Sequence, residues 1–461
     1  MNASVPRTEL TRALAGHVRG EVRQPADPGY DAARAIWNAR IDRMPSVIVR
    51  ATGKGDVIAG VNVAREHGVP LSVRGGGHHV AGHAVCDGGV MLDLSLLNDV
   101  QVDAVAQRAW VGPGARVREV DQATQAFGLV TTGAPVSMVG VAGYTLGGGL
   151  GWTSRMHGLS CDNLVSAEVV TAAGELVHVS DEQNRDLFWA LRGGSGNFGV
   201  VISFEFRLHQ LGPEVLAGAI VHPMNSAPWL LRFWRDFMRD APDELQCMPV
   251  IFPLPPSPGG GQGETVLALV ALYAGGPAEA AEVVAPLREA GNPLSDGVSV
   301  VRYAGLLASL DEMYRAGHRV CYRTAFFDDI PDAAIDAFLE RAAPVPTPFS
   351  SIFLEPMRGA IARRARDATA FAHRDRMFCV TAVPKWDRAA RDAEMIAWAD
   401  ALFESLAPYA AEGAYVNYLD GDGEARARAA YGEHWDRLVE LKKKWDPDNL
   451  FRMNHNIPPG R

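Results

Sequence analysis

The chain has 461 residues, 48% of them hydrophobic and 21% charged, enough apolar material for two or three ordinary globular domains. A net charge of −10 argues against nucleic acid or an anionic membrane surface as the main partner. No apolar run approaches the ~20 residues of a membrane-spanning helix, and Cys86, Cys161, Cys247, Cys321 and Cys379 lack the CxxC spacing of a zinc or disulfide framework.

The opening "MNASVPRTELTRALAG" has no apolar signal core, so a cytoplasmic protein is expected. "SVIVRATGKGDVIAGVNVAREHGVPLSVRGGG" predicts strand, helix, strand. It is extended at 47–49, helical through Val57, Ile58, Val61 and Ala64, stopped by Gly68, and extended again at 69–73. Short strands follow in "GVMLDL", "VQVDAV" and "RAWVGPG", then a helix over 116–127. From Cys161, "CDNLVSAEVVTAAGELVHVS" predicts two strands about a turn at 172–174. A helix holding "NRDLFWAL" leads into "RGGSGNFGVVISFEFRL". Past about 211 prolines cluster, and "IFPLPPSPGGGQGE" predicts a flexible loop between strands. Strands such as "TVLALVALY" then alternate with helices such as "DAAIDAFLERA", and the tail is helical up to Lys444, where "WDPDN" ends it. The class is α+β, with a second domain able to shape a substrate wall.

Three glycine-rich stretches carry the chemistry. "SVRGGGHHVAGHAVC", 72–86, packs histidines among glycines. His79 and His83 have the four-residue spacing of two metal ligands on one helical face. The four glycines of "RGGGHHVAGH" oppose that helix at ~1 kcal/mol each, and no third ligand stands nearby. "GSGNFG", 194–199, matches the dinucleotide fingerprint, but a helix precedes it and a strand follows, the reverse of a Rossmann unit. "VGVAGYTLGGGLGW", 139–152, precedes no clear helix. Together the three loops predict backbone nests for a long, doubly phosphorylated ligand.

"RGGGH" (74–78), "GGGLGWTSRMHGLSCDN" (147–163), "YVNY" (415–418) and "WDPDNLFRMNHNIP" (445–458) resemble, in order, the berberine bridge enzyme-like flavoproteins of the vanillyl-alcohol-oxidase superfamily. The resemblance implies a two-part PCMH-type FAD-binding domain, 1–211 and 415–461. Between its parts a substrate domain, 212–414, would hold an antiparallel sheet flanked by helices. It implies FAD bound covalently through His78 to the 8α-methyl and through Cys161 to C6. Further cofactor contacts are expected at Arg74, Gly75, Gly76, Gly77, His79, Gly82, Gly140, Gly143, Gly147, Gly148, Gly149, Asn163, Gly199, Val201, Tyr415, Asn417 and Asn454. A neutral imidazole and a thiolate are the side chains suited to adding to an electron-poor ring.

Tyr418 is expected as the base, with its pKa of ~10 lowered. Period-two alternation would put Tyr418 with Val416 on one face and Tyr415 with Asn417 on the other. Tyr322, Glu355 and Arg374, the last beside His373, are expected in the substrate wall. The resemblance makes Leu164 a control on oxygen access, so that Leu164→Val speeds reoxidation. It leaves a contact at His455 open, because the family often carries glutamine there. The expected activity is hydride transfer to flavin from an alcohol, amine, phenol or activated C–H of a small metabolite. Molecular oxygen or another acceptor would then take the electrons. Alternatives are a dehydrogenase with little oxygen reactivity, a sugar or oligosaccharide oxidase, a non-catalytic flavin carrier and a histidine-based metal hydrolase.

Overall fold

The computed structural model describes residues 6–255, 263–421 and 423–460; most of the expected proline–glycine loop, 256–262, lies outside them. Near the N-terminus, Val47–Arg50 and Leu71–Arg74 run parallel on either side of Val90–Asp93, with Glu21–Arg23 antiparallel at the edge. The crossover is the helix Lys54–Glu66. It buries Val57, Val61 and Ala64 against the sheet, as the apolar spacing predicts.

A five-stranded antiparallel sheet follows, in the order Val100–Asp103, Arg108–Val111, Val200–Arg207, Leu164–Val170, Leu176–Ser180. Phe204 and Phe206 enter a core shared with Leu187 and Phe188 and with Trp435 and Leu438 of the C-terminal helix Trp435–Trp445. The tail is nailed there by a buried ion pair. Lys442 Nζ donates to Asp446 at 2.6 Å, to the Asn197 carbonyl at 2.7 Å and to the Phe451 carbonyl at 3.0 Å. Asp446 also accepts the Leu450 and Phe451 amides. The "WDPDNLF" string therefore ties the tail to the "GSGNFG" turn.

Residues 214–383 build an eight-stranded antiparallel sheet in which Leu245–Pro253 and Thr265–Tyr273 pair along nine positions. Period two divides its side chains. Cys247, Ile251, Leu267, Leu269, Ile352 and Leu354 pack into a core that includes residues of the helices Ala227–Asp240, Pro277–Glu289, Asp332–Ala342 and Asp392–Leu406. Each such residue stabilises by about 1.5–3 kcal/mol. Met248, Val250, Phe252, Val270, Phe353 and Glu355 point the other way, into a cavity.

The third glycine cluster holds a short helix within it, Val141–Leu146, and is followed by the four-residue Ser154–His157. Two expectations are corrected. "YVNY" is not a strand but a single 3₁₀ turn, Val416–Tyr418. The tail helix breaks at Gly432, whose φ of +50° favours glycine, into Glu424–Tyr431 and Trp435–Trp445. No described helix is long and apolar enough to cross a membrane.

Candidate active site

The cavity, about 470 Å³, lies between the glycine loops and the inner face of the eight-stranded sheet. One side is backbone: Gly75, Gly76, Gly77, Gly140, Gly143, Gly196 and Gly199, with Val201 and Asn454 beside them. A Cβ on Gly76 would sit 2.5 Å from the Gly140 Cα, and one on Gly75 would sit 2.7 Å from the Pro113 carbonyl oxygen. Two chain segments thus touch backbone to backbone, leaving a wall that a flat, phosphorylated cofactor can approach closely. The Asn454 amide nitrogen donates to the Gly196 carbonyl at 2.9 Å and joins the tail to that wall.

His78 lies on this wall, its ring stacked on Trp37 with centroids 4.3 Å apart and planes 18° apart. Its Nε2 is buried without a hydrogen-bond partner, and burial lowers its pKa to about 3, with Arg116 adding to the shift. It is a neutral imidazole in a cavity-lining residue, with Nε2 unpaired. Cys161 is different. It is wholly buried and absent from the cavity lining, packed with Leu150, Leu159, Phe371 and Tyr415. Burial, and then the neighbouring Asp162, raise its thiol to about 12. Cys161 shares this cluster with Tyr418, which lines the cavity, so the sulfur expected to bond the flavin stands directly behind the wall.

At the substrate end, Tyr314, Tyr322, Phe353 and Tyr418 surround Glu355, the one carboxyl group among the described lining residues. Glu355 is 2% exposed; Oε1 accepts from the Tyr418 hydroxyl at 3.3 Å, and Oε2 has no partner. Burial raises its pKa to about 8. Burial, and then the Glu355 charge, push Tyr418 well above its ordinary value, opposite in direction to the expected lowering. Because "YVNY" is a turn, Tyr415 and Tyr418 are edge-on neighbours at 4.7 Å, not on opposite faces. The Tyr415 hydroxyl accepts the Gly149 and Leu150 amides at 2.9 and 3.1 Å and the Asn417 amide at 2.9 Å. Asn417 lines the cavity; Tyr415 supports it from behind.

Several other expected site residues stand away from the cavity. Arg74 binds Asp93 through two nitrogens, at 3.1 and 2.5 Å, and donates to the Ala33 and Ala35 carbonyls. Gly82 makes a turn against Ile41. Gly147, Gly148 and Gly149 pack against Asn417, Phe371 and Tyr144. Asn163 donates to the Leu159 and His157 carbonyls and pairs with His209. Leu164 begins a strand and is buried in the neighbouring core, whereas Val136 and Val139 line the cavity. Arg374 is not a wall residue but a buried partner of Asp162, at 2.9 and 2.6 Å. His373 bonds the Ala430 carbonyl at 2.9 Å.

The third imidazole that local sequence lacked comes from the tail. His79, His83 and His455 bring ligand-type nitrogens within 4.8 Å of one another. Two of these rings are already engaged: His79 accepts the Ala81 amide and lies 3.3 Å from the Val416 carbonyl, and His455 lies 3.2 Å from the Leu419 carbonyl. The wall residues Met248, Val250 and Phe252 were missed, although alternation in "CMPVIF" marks them; Trp37 carried no sequence signal.

Residues 45–180 match the model of an FAD binding domain family, and 414–458 match that described as berberine and berberine like. (R)-6-hydroxynicotine oxidase of Paenarthrobacter nicotinovorans is 31% identical over 459 residues, covering 96% of this chain and 97% of that one. The crystal structure of 6-hydroxy-D-nicotine oxidase from Arthrobacter nicotinovorans superposes with a TM-score of 0.86 at 28% identity, covering 96% and 98%. A chitooligosaccharide oxidase shares the fold, with a TM-score of 0.86 at 23% identity over 99% of this chain and 100% of that one.

Proposed function

Because the chain belongs to the berberine bridge enzyme-like FAD-linked oxidoreductases, we propose that it oxidises a small aromatic amine or related nitrogen heterocycle. FAD is its cofactor. His78 would tether it, and 1–211 with 415–461 would form the domain that holds it, roofed by 212–414. When bound, FAD supplies the ring that accepts the hydride. The unpaired imidazole nitrogen and the backbone wall suit that group.

The observation that carries the substrate class is a single carboxyl group inside an aromatic and aliphatic wall. A cationic amine entering there lowers the pKa of Glu355 and pairs with it. Glu355 then takes the ammonium proton, leaving the neutral amine from which hydride loss is favourable. Tyr418, protonated, holds Oε1 in place by its hydrogen bond, and Tyr322 and Phe353 exclude water. A sugar, hydroxylated around its ring, would bury several hydroxyls against apolar side chains without partners. Molecular oxygen is the proposed electron acceptor. Anaerobic mixing of the holoenzyme with aromatic amines should bleach the flavin, and oxygen should restore its colour. Bleaching by oligosaccharides alone would overturn the substrate class, and colour that oxygen does not restore would overturn the acceptor.

A further inference from the structure

We propose that Trp37 is a positioning residue for the flavin tether, a flat plate that fixes the plane of the His78 ring and locks it to the substrate domain. The inference rests on the reading that His78 carries the cofactor. Trp37 is 4% exposed and does not line the cavity, so it does not touch substrate. It backs His78 at 4.3 Å in a near-parallel stack and meets Tyr322 edge-on at 6.2 Å.

The plate is held from both sides. Its own amide donates to the Gly77 carbonyl at 3.1 Å, in the loop that carries His78. Its indole N–H donates to the Tyr314 carbonyl at 2.6 Å, in the segment that covers the cavity. The Gly317 amide donates to the Trp37 carbonyl at 3.3 Å, and the Ala39 amide donates to that of His318 at 3.0 Å. Asn38 completes the clasp. Its side-chain nitrogen donates to Val80 and Val320 carbonyls at 2.7 and 3.0 Å, while its oxygen accepts the Val320 amide at 3.0 Å. Three consecutive residues therefore stitch loop 77–80 to segment 314–320. The loop itself is rich in glycine and would leave the imidazole free to swing; the stack removes that freedom.

Orientation matters because the tether is a substitution at carbon. An imidazole nitrogen bonds to the 8α carbon as one methyl C–H breaks, and the imidazole N–H proton is lost. The electron pair and both hydrogens end on the flavin ring, which molecular oxygen or another acceptor then reoxidises. Loss of a fixed attack angle slows such a step by about ten- to a hundred-fold.

The test uses a Cys161→Ser background, which leaves His78 as the one expected tether, and compares that chain with Trp37→Phe and Trp37→Leu during incubation with excess FAD. Intact mass of the unfolded chain and flavin fluorescence in a denaturing gel give the tethered fraction. Trp37→Phe, which keeps a stacking plane, should tether at the rate of the Cys161→Ser chain. Trp37→Leu should bind FAD and tether about ten- to a hundred-fold more slowly. Equal rates in Phe and Leu variants would overturn the role of Trp37. If the Leu variant does not fold, Trp37→His and Trp37→Met carry the same contrast, with only His expected to tether normally. A Cys161→Ser chain that never gains mass overturns the tether itself, a different result from any of these.

Discussion

Two glycine-rich loops in this chain each present a nucleophile, and the structure treats them in opposite ways. Loop 72–86 holds His78 on the cavity wall, neutral, with a nitrogen that has no partner. Loop 147–163 turns Cys161 into a closed core, where burial and Asp162 keep the thiol protonated. The glycines differ accordingly. Those at 75 and 76 let two backbones meet beside open space; those at 148 and 149, with φ of +117° and +95°, turn the chain beneath Phe371 and Tyr144. Composition is shared by the two loops, and placement is not. What separates them is whether the residue lines the cavity.

The largest effect expected from this contrast is all or none. His78→Ala combined with Cys161→Ser should abolish covalent flavin, leaving unfolded chain at the bare polypeptide mass. Cys161→Ser alone should retain one FAD per chain through His78, and His78→Ala alone should retain it through Cys161. Bare mass in the His78→Ala variant would remove the sulfur from the ring and sharpen the comparison.

Next comes the substrate end. Glu355→Gln should lower kcat/KM by about 10²–10⁴-fold. The raised pKa, about 8, fixes the sign of the pH dependence. The carboxylate form is a minority at pH 7 and grows through pH 8, so wild-type kcat/KM should rise with pH across that window and flatten above it. The Gln variant should lose this limb. Tyr418→Phe should keep it but move it to higher pH, because the lost hydrogen bond had favoured the ionised carboxyl. A limb unchanged in Glu355→Gln would assign the titration elsewhere.

The same contrast assigns Arg374 to structure rather than to substrate. Its guanidinium is 1% exposed and makes a two-nitrogen pair with Asp162, beside Cys161. Arg374→Ala would strand the Asp162 carboxylate and should cost about 3–5 kcal/mol of stability. A thermal midpoint equal to wild type would return Arg374 to the candidate binding residues.

Local pattern made much of this legible in the sequence. The strand–helix–strand opening, the reversed order around "GSGNFG" and the C-terminal anchor all follow from contacts close along the chain. The FAD reading was legible too, through His78 and the glycine wall at 75–77 and 140–143. Sequence failed where a residue's neighbours come from far away. Asn163 and Arg374 look chemical in one dimension but satisfy their neighbours in three. His455 reaches His79 and His83 because Asn197 and Tyr431 donate to its carbonyl and Lys442 and Asp446 fix the tail. Trp37, at 41 residues from His78, has no motif; stacking across loops leaves no periodic trace.

The smallest effect concerns Leu164, expected from sequence to govern oxygen. Its backbone opens the strand Leu164–Val170 and pairs with Phe206, and its side chain is 4% exposed in the core that includes Phe204 and Phe206. Leu164→Val removes one methylene there and should cost about 1 kcal/mol in stability. It removes nothing from the cavity wall, so the rate at which oxygen restores the reduced flavin should not change. Stopped-flow reoxidation of wild type and variant at matched temperature measures this directly. A faster variant would mean that a gap opened behind Phe206 reaches the ring, linking the second loop to the cavity after all.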